Sequence, residues 1–172
     1  YVRIAIDARK LHDFGIGTYI RNLLKHLGAF DHDSEYVVLC RPQDGETVRQ
    51  MAPNFTPVAE KARPYSIREQ IALPARLLTA RVDLFHAPHY VLPPLVPCRS
   101  IVTIHDCIHL MFPQYLPNRL AYVYARASLA AAATRAARIL TVSETSKSDI
   151  LRYCNVPADR IIVIPNAIDD RL

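Results

Sequence analysis

The sequence has no tryptophan, no C-x-x-C pair, no Gly-Lys-Ser/Thr and no run of eighteen apolar residues free of charge. Each absence excludes something. Without a long apolar run a transmembrane span is not expected, and without Gly-Lys-Ser/Thr there is no Walker A loop. The scattered Cys40, Cys98, Cys107 and Cys154 suit neither a zinc ribbon nor a disulfide framework; they read as reduced packing thiols of a cytoplasmic protein. Basic residues interleaved with aromatics on one element are also missing, so no nucleic acid is expected as a partner. No secretory leader pattern precedes the first strand-like run, so none is expected to have been read.

What is present is enough for one large domain. The 172 residues are 51% hydrophobic and 22% charged, and a chain of this length buries roughly 70% of its unfolded surface. The net charge of +5 is uneven. Ten Lys/Arg stand against Glu69, Asp83 and Asp106 between Lys61 and Arg138, an excess of seven, so the rest of the chain carries −2. Such a basic middle suits a phosphorylated ligand or an acidic membrane surface, with Arg63, Arg68, Arg76 and Arg81 as candidate headgroup contacts.

"VRIAID" is a short apolar run that reads as a buried strand. From Ile16 the apolar residues Tyr19, Ile20, Leu23, Leu24 and Leu27 follow one helix face, with Gly28 as the expected stop. "EYVVLC", "FTPVA", "VDLFHAPH", "RSIVTIHD", "RILTVS" and "RIIVIPN" read as further strands. Between them, "SIREQIALPARLLTA" reads as a helix that Pro74 should kink or break. A long alanine-rich helix capped by Asn118 and a short one capped by Ser143 follow. Strands alternating with helices predict an α/β fold with a doubly wound, mainly parallel sheet. Ligands of such sheets bind beyond the carboxyl ends of the strands. Asp7, His86, His105, Asp106, Ser143, Glu144 and Asn166 stand at strand ends and are expected to share one open rim.

Two constellations could carry chemistry. Gly15-Ile16-Gly17 before a helix could meet a phosphate, or could be a turn needing positive φ. It is no dinucleotide fingerprint, because Ile20 holds the third glycine position and the second strand ends at Cys40-Arg41 without an acid. His86, His89, His105 and His109 fall within 24 residues and, with Asp106, could ligate zinc or iron in a metal-dependent hydrolase. Alternatively some rings are satisfied by backbone carbonyls, and one neutral imidazole hydrogen-bonds a polyol or phosphate. A Ser-His-Asp triad through Ser143 lacks the G-x-S-x-G elbow. A non-catalytic docking domain remains the other alternative.

"RIAIDARKL", "GIGTYIRNLL", "DLFHAPHYVLP", "IVTIHDCIHLMFPQYLP", "ILTVSETSKSDIL" and "IIVIPNAID" occur in an order that resembles the N-terminal half of a retaining glycosyltransferase of family 4 with the GT-B fold. The resemblance spans nearly the whole chain. It implies a single Rossmann-like, acceptor-side domain over residues 1–172, facing a C-terminal donor-binding domain with an E-x7-E motif that this sequence does not carry. It further implies that the isolated domain is inactive and that no metal or other cofactor is needed. The nucleotide-sugar is then a substrate and the acceptor a glycan or lipid-linked saccharide, handled at the inner face of a membrane. "GIGTY" preceded by "IDAR" is similar to a bacterial branch that often transfers mannose from GDP-mannose in surface-polysaccharide assembly. By the same resemblance Gly15, Ile16, Gly17 and Thr18 form the donor diphosphate loop. His105 is the catalytic histidine beside the donor sugar, and Ser143 with Glu144 forms a mainly structural turn. Asn166 and Asp169 lead toward the linker, with Ala167 where the family has glycine. Asp7, His86, His89, Asp106 and His109 complete the acceptor side or rim.

Overall fold

Runs such as "RIAID" and "EYVVLC" are apolar on both faces, so each strand needs cover on both sides. A computed structural model, which describes residues 1–64 and 66–167, meets that need with seven parallel strands. They are β1 (Arg3–Asp7), β2 (Glu35–Cys40), β3 (Phe55–Ala59), β4 (Leu84–Ala87), β5 (Arg99–Thr103), β6 (Arg138–Thr141) and β7 (Ile161–Val163). Their spatial order is β3-β2-β1-β4-β5-β6-β7, and every pairing is parallel. The chain winds outward from β1 to β3, then crosses back beside β1 as β4. The strand order therefore reverses between β1 and β4.

Among the described residues six α-helices accompany the strands: α1 (Phe14–Phe30), α2 (Gly45–Met51), α3 (Glu69–Ala80), α4 (Ile108–Met111), α5 (Arg119–Arg135) and α6 (Glu144–Tyr153). Alternate residues of β1 and β2 enter two separate cores. Ile6, Tyr36 and Val38 pack with Ile20 and Leu24 of α1 and Val48 of α2. Ala5, Val37 and Leu39 belong to the larger core, with Leu73 and Leu77 of α3, Leu129, Ala132 and Ala133 of α5, and Ile150 of α6. The sheet is doubly wound, and the small residues of α5 let that helix lie close to it. Asn118 Oδ1 accepts from Ala121 N at 2.8 Å and Ser143 Oγ from Ser146 N at 3.0 Å, so both expected caps form. No helix among the described residues is long and apolar enough to cross a membrane. All four cysteines are free.

Several expectations change. Helix α1 starts at Phe14, ahead of Ile16, and runs past Gly28 to Phe30. Gly28 is a packing glycine: a Cβ there would lie 2.7 Å from the Ala52 side chain. Helix α3 begins at Glu69 and continues through Pro74 to Ala80. Strands and helices do not alternate throughout, because β4 joins β5 through residues 88–98, which contain four prolines and no helix. Pro57 fits β3 because β3 is an edge strand with no neighbour on its outer side.

Candidate functional site

At the reversal point, the carboxyl ends of β1 and β4 meet the start of α3, and a chain buries there what it can neutralise. Arg9 Nη2 donates to Asp7 Oδ2 at 2.6 Å and to Glu69 Oε1 at 2.5 Å, and Arg9 Nη1 to the Ala62 carbonyl at 2.9 Å. His89 Nε2 donates to the same Asp7 Oδ2 at 3.1 Å, while His89 Nδ1 accepts from Val91 N at 3.3 Å. Asp7, Arg9, Glu69 and His89 are all at most 2% exposed. Burial would raise the Asp7 pKa, but hydrogen bonds and charge from Arg9 and then His89 outweigh it and hold the carboxyl well below the usual range. Burial likewise opposes the Arg9 charge, and Asp7 and Glu69 more than restore it.

This cluster corrects the expected rim. Asp7 and His86 do not open onto it. Asp7 is capped by Arg9, and His86 is buried with Nε2 2.8 Å from Thr103 Oγ1. Burial, with His89 and His105 nearby, pushes the His86 pKa down to about 4. The four histidines also fail to converge on one ion. Among the described residues the one set with ligand spacing is Asp7, Glu69 and His89, and the Arg9 guanidinium already holds the cation's place between its two carboxylates. The hydrolase alternative thereby loses its ligand set.

An open cleft of about 480 Å³ begins beside this cluster. His89, His105, Asp106 and His109 line it, together with Ile16 of α1 and Tyr124 of α5. Strand β5 has ended at Thr103, so His105 and Asp106 lie in the following turn. Asp106 Oδ1 accepts from Ile108 N at 3.0 Å and so starts α4. His105 Nε2 lies 3.0 Å from the Pro88 carbonyl, which can only accept, so Nε2 carries the proton. Burial lowers the His105 pKa, against the raising effects of that hydrogen bond and of Asp106. Burial thus favours the neutral ring, in which Nδ1 is the acceptor. His109 Nδ1 is buried without a hydrogen-bond partner among the described residues.

Residues not anticipated from sequence hold this arrangement. The Tyr19 ring meets His105 edge-on, with centroids 4.9 Å apart, and Tyr19 Oη lies 3.1 Å from Thr103 Oγ1. Ser146 Oγ donates to the His105 carbonyl at 2.9 Å and accepts from Ser143 Oγ at 3.0 Å. Ser143 and the exposed Glu144 are thus outside the cleft wall, and Ser143 supports it through Ser146. Arg9 and Lys10 stood in the "IDARKL" run, but nothing in it showed that Arg9 would pair with a carboxylate sixty residues away.

The glycine pair is not a loop. Gly15, Ile16, Gly17 and Thr18 are the second to fifth residues of α1, and neither glycine has positive φ. Gly17 is buried, and a Cβ on it would stand 2.6 Å from the Leu11 carbonyl oxygen. Gly15 is exposed, with nothing within 4 Å of the place its Cβ would take. Ile16 faces the His105 cleft, whereas Gly15 and Thr18 share another cleft, of about 460 Å³, with Asn166. Asp169 lies outside the described residues.

The model for "Glycosyltransferase Family 4" matches residues 15–172. The O-antigen chain mannosyltransferase B of Escherichia coli is 39% identical over 80 residues, which are 46% of this chain and 20% of that protein. Among solved structures, Anabaena HepE in complex with UDP and glucose matches 98% of the chain at TM-score 0.65 and 13% identity. The lipopolysaccharide outer core galactosyltransferase WaaB, in its apo form, matches 97% at 0.60 and 15%. The chain spans 45% of the first of these structures and 46% of the second. These likenesses identify the fold as that of the N-terminal GT-B domain.

Proposed function

The chain belongs to glycosyltransferase family 4, and from that premise we propose that it is the acceptor-side half of a retaining, two-domain enzyme. The enzyme transfers a hexose from a nucleotide-sugar to a glycan or lipid-linked saccharide in surface-polysaccharide synthesis. Mannose from GDP-mannose is the favoured donor, supported by the partial match to a mannosyltransferase. HepE was solved with UDP and glucose, which supports a nucleotide-sugar as substrate class. The reaction is placed in the cytoplasm, at the inner face of the membrane.

The observation that carries this reading is the His105 ring in the wall of an open cleft, with Nε2 turned to the Pro88 carbonyl. Its Nδ1 lone pair can accept from a hydroxyl of the donor sugar and stabilise positive charge developing in the transition state. The open face of Gly15 allows close approach of the donor's diphosphate to the first turn of α1, whose free N–H groups favour an anion. The remaining charge on the leaving group is offset by cationic groups of the second domain, so no metal is required.

The test is hexose transfer from GDP-mannose by this chain alone and by the chain extended with a donor domain. Only the extended form should turn over, and His105→Ala in it should lose about a hundredfold or more of kcat. Full activity of the 172-residue chain, or an unaffected His105→Ala enzyme, would overturn the reading.

A further inference from the structure

A second cleft, of about 600 Å³, lies beyond the carboxyl ends of β2 and β3, and Lys10 lines both it and the His105 cleft. Its wall carries Lys10, Arg41, Lys61 and Arg63 against the carboxylates Asp13 and Glu60. Both oxygens of Glu60 are taken: it is buried, one accepts from Ala62 N at 2.7 Å and the other from Arg76 Nε at 3.3 Å. Asp13 is shared between Lys10 Nζ at 3.4 Å and Arg41 Nη2 at 3.6 Å. Lys61 and Arg63 are exposed and pair with no carboxylate among the described residues. The cleft therefore presents cationic groups in excess, at the end of the sheet where ligands bind.

The chain leaving this wall carries Ile67, 86% exposed, and Arg68 just before α3, and then Ile71, 70% exposed, in its first turn. Apolar side chains set beside arginines suit the boundary between headgroups and acyl chains. We infer that the second cleft binds the phosphate or diphosphate group of an acceptor saccharide carried on a lipid, while the saccharide reaches the His105 cleft past Lys10. This rests on the glycosyltransferase reading and names the acceptor class within it.

Binding is measured without donor or transfer, using inorganic pyrophosphate in one arm and vesicles in the other. The vesicles are phosphatidylcholine, with or without phosphatidylglycerol. The double variant Lys61→Glu/Arg63→Glu should keep the thermal unfolding of the parent, since both side chains are exposed and unpaired. It should weaken binding about tenfold or more in whichever arm responds, and added salt should weaken the parent's binding too. A response to pyrophosphate assigns the site to the phosphate group itself; a response confined to phosphatidylglycerol vesicles assigns it to phosphate at a lipid surface. Equal binding by parent and variant, no binding in either arm, or, where pyrophosphate does not bind, equal binding to both vesicle types overturns the inference. Failure here alongside a transfer-dead His105→Ala enzyme removes this site alone. Phosphate binding alongside a fully active His105→Ala enzyme removes the functional reading instead.

Discussion

The carboxyl end of the sheet has two sectors of opposite character. Between β1 and β4 the polar residues are buried and saturated: Asp7, Arg9, Glu69 and His89 hold one another. Beyond β5 they stand around an open cleft, and among the described residues His105 is hydrogen-bonded through Nε2 and not Nδ1. Both sectors lie at strand ends, where ligands of such sheets bind. The difference teaches that position at a strand end selects candidates, while hydrogen-bond saturation decides which become architecture. The reversal point is braced by the chain's own ions, and the open cleft begins one strand along.

The strongest way to break that contrast is Arg9→Met. It leaves two carboxylates, Asp7 and Glu69, facing each other in the interior without their cation, so stability should fall by about 3–5 kcal/mol. Urea denaturation at pH 7 measures this. A loss under about 1 kcal/mol would mean that the sector is hydrated and not saturated.

The next prediction separates the two sectors by pH. His86 has a folded pKa of about 4 against an ordinary 6.5, so the folded chain favours its neutral form. Its contribution is whole above pH 6.5 and is lost as pH falls toward 4, by about 3 kcal/mol in all. His105, also shifted downward by burial, acts in the same direction. Asp7 is depressed instead, so its contribution persists above the ordinary carboxylate value and is lost only below it. His86→Asn should flatten the slope of unfolding free energy between pH 6.5 and 4 by about one proton and leave the acid limb below pH 4 in place.

The same contrast explains what could be read from sequence. All seven strands were legible because apolar runs such as "EYVVLC" are buried on both faces, and a parallel sheet demands that. Helix α2 was not, since seven residues with only Val48 buried carry too little period. The position of His105 just past the end of β5 was legible through the motif around it. Its supports were not: the Pro88 carbonyl, the Tyr19 edge and Ser146 come from three other segments, and no local pattern joins them. The burial of Asp7 was hidden for the same reason, because its guanidinium is local but Glu69 and His89 are not.

The smallest expected effects sharpen the comparison within the glycine pair near the start of α1. Gly17→Ala sets a Cβ against the Leu11 carbonyl oxygen, which is backbone and cannot swing aside, so it should cost about 1–3 kcal/mol. Gly15→Ala meets nothing, and alanine favours helix over glycine by at most about 1 kcal/mol, less in a first turn. The chain should therefore be unchanged or slightly more stable, by a few tenths of a kcal/mol in urea denaturation. If the bare face of Gly15 exists to admit the diphosphate, the same substitution in the two-domain enzyme raises the KM for GDP-mannose while the fold gains. A glycine kept for folding alone cannot give that pair of signs. Gly15→Ala with higher stability and unchanged KM would assign Gly15 to neither architecture nor donor binding, and would leave Gly17 as a packing residue beside an incidental neighbour.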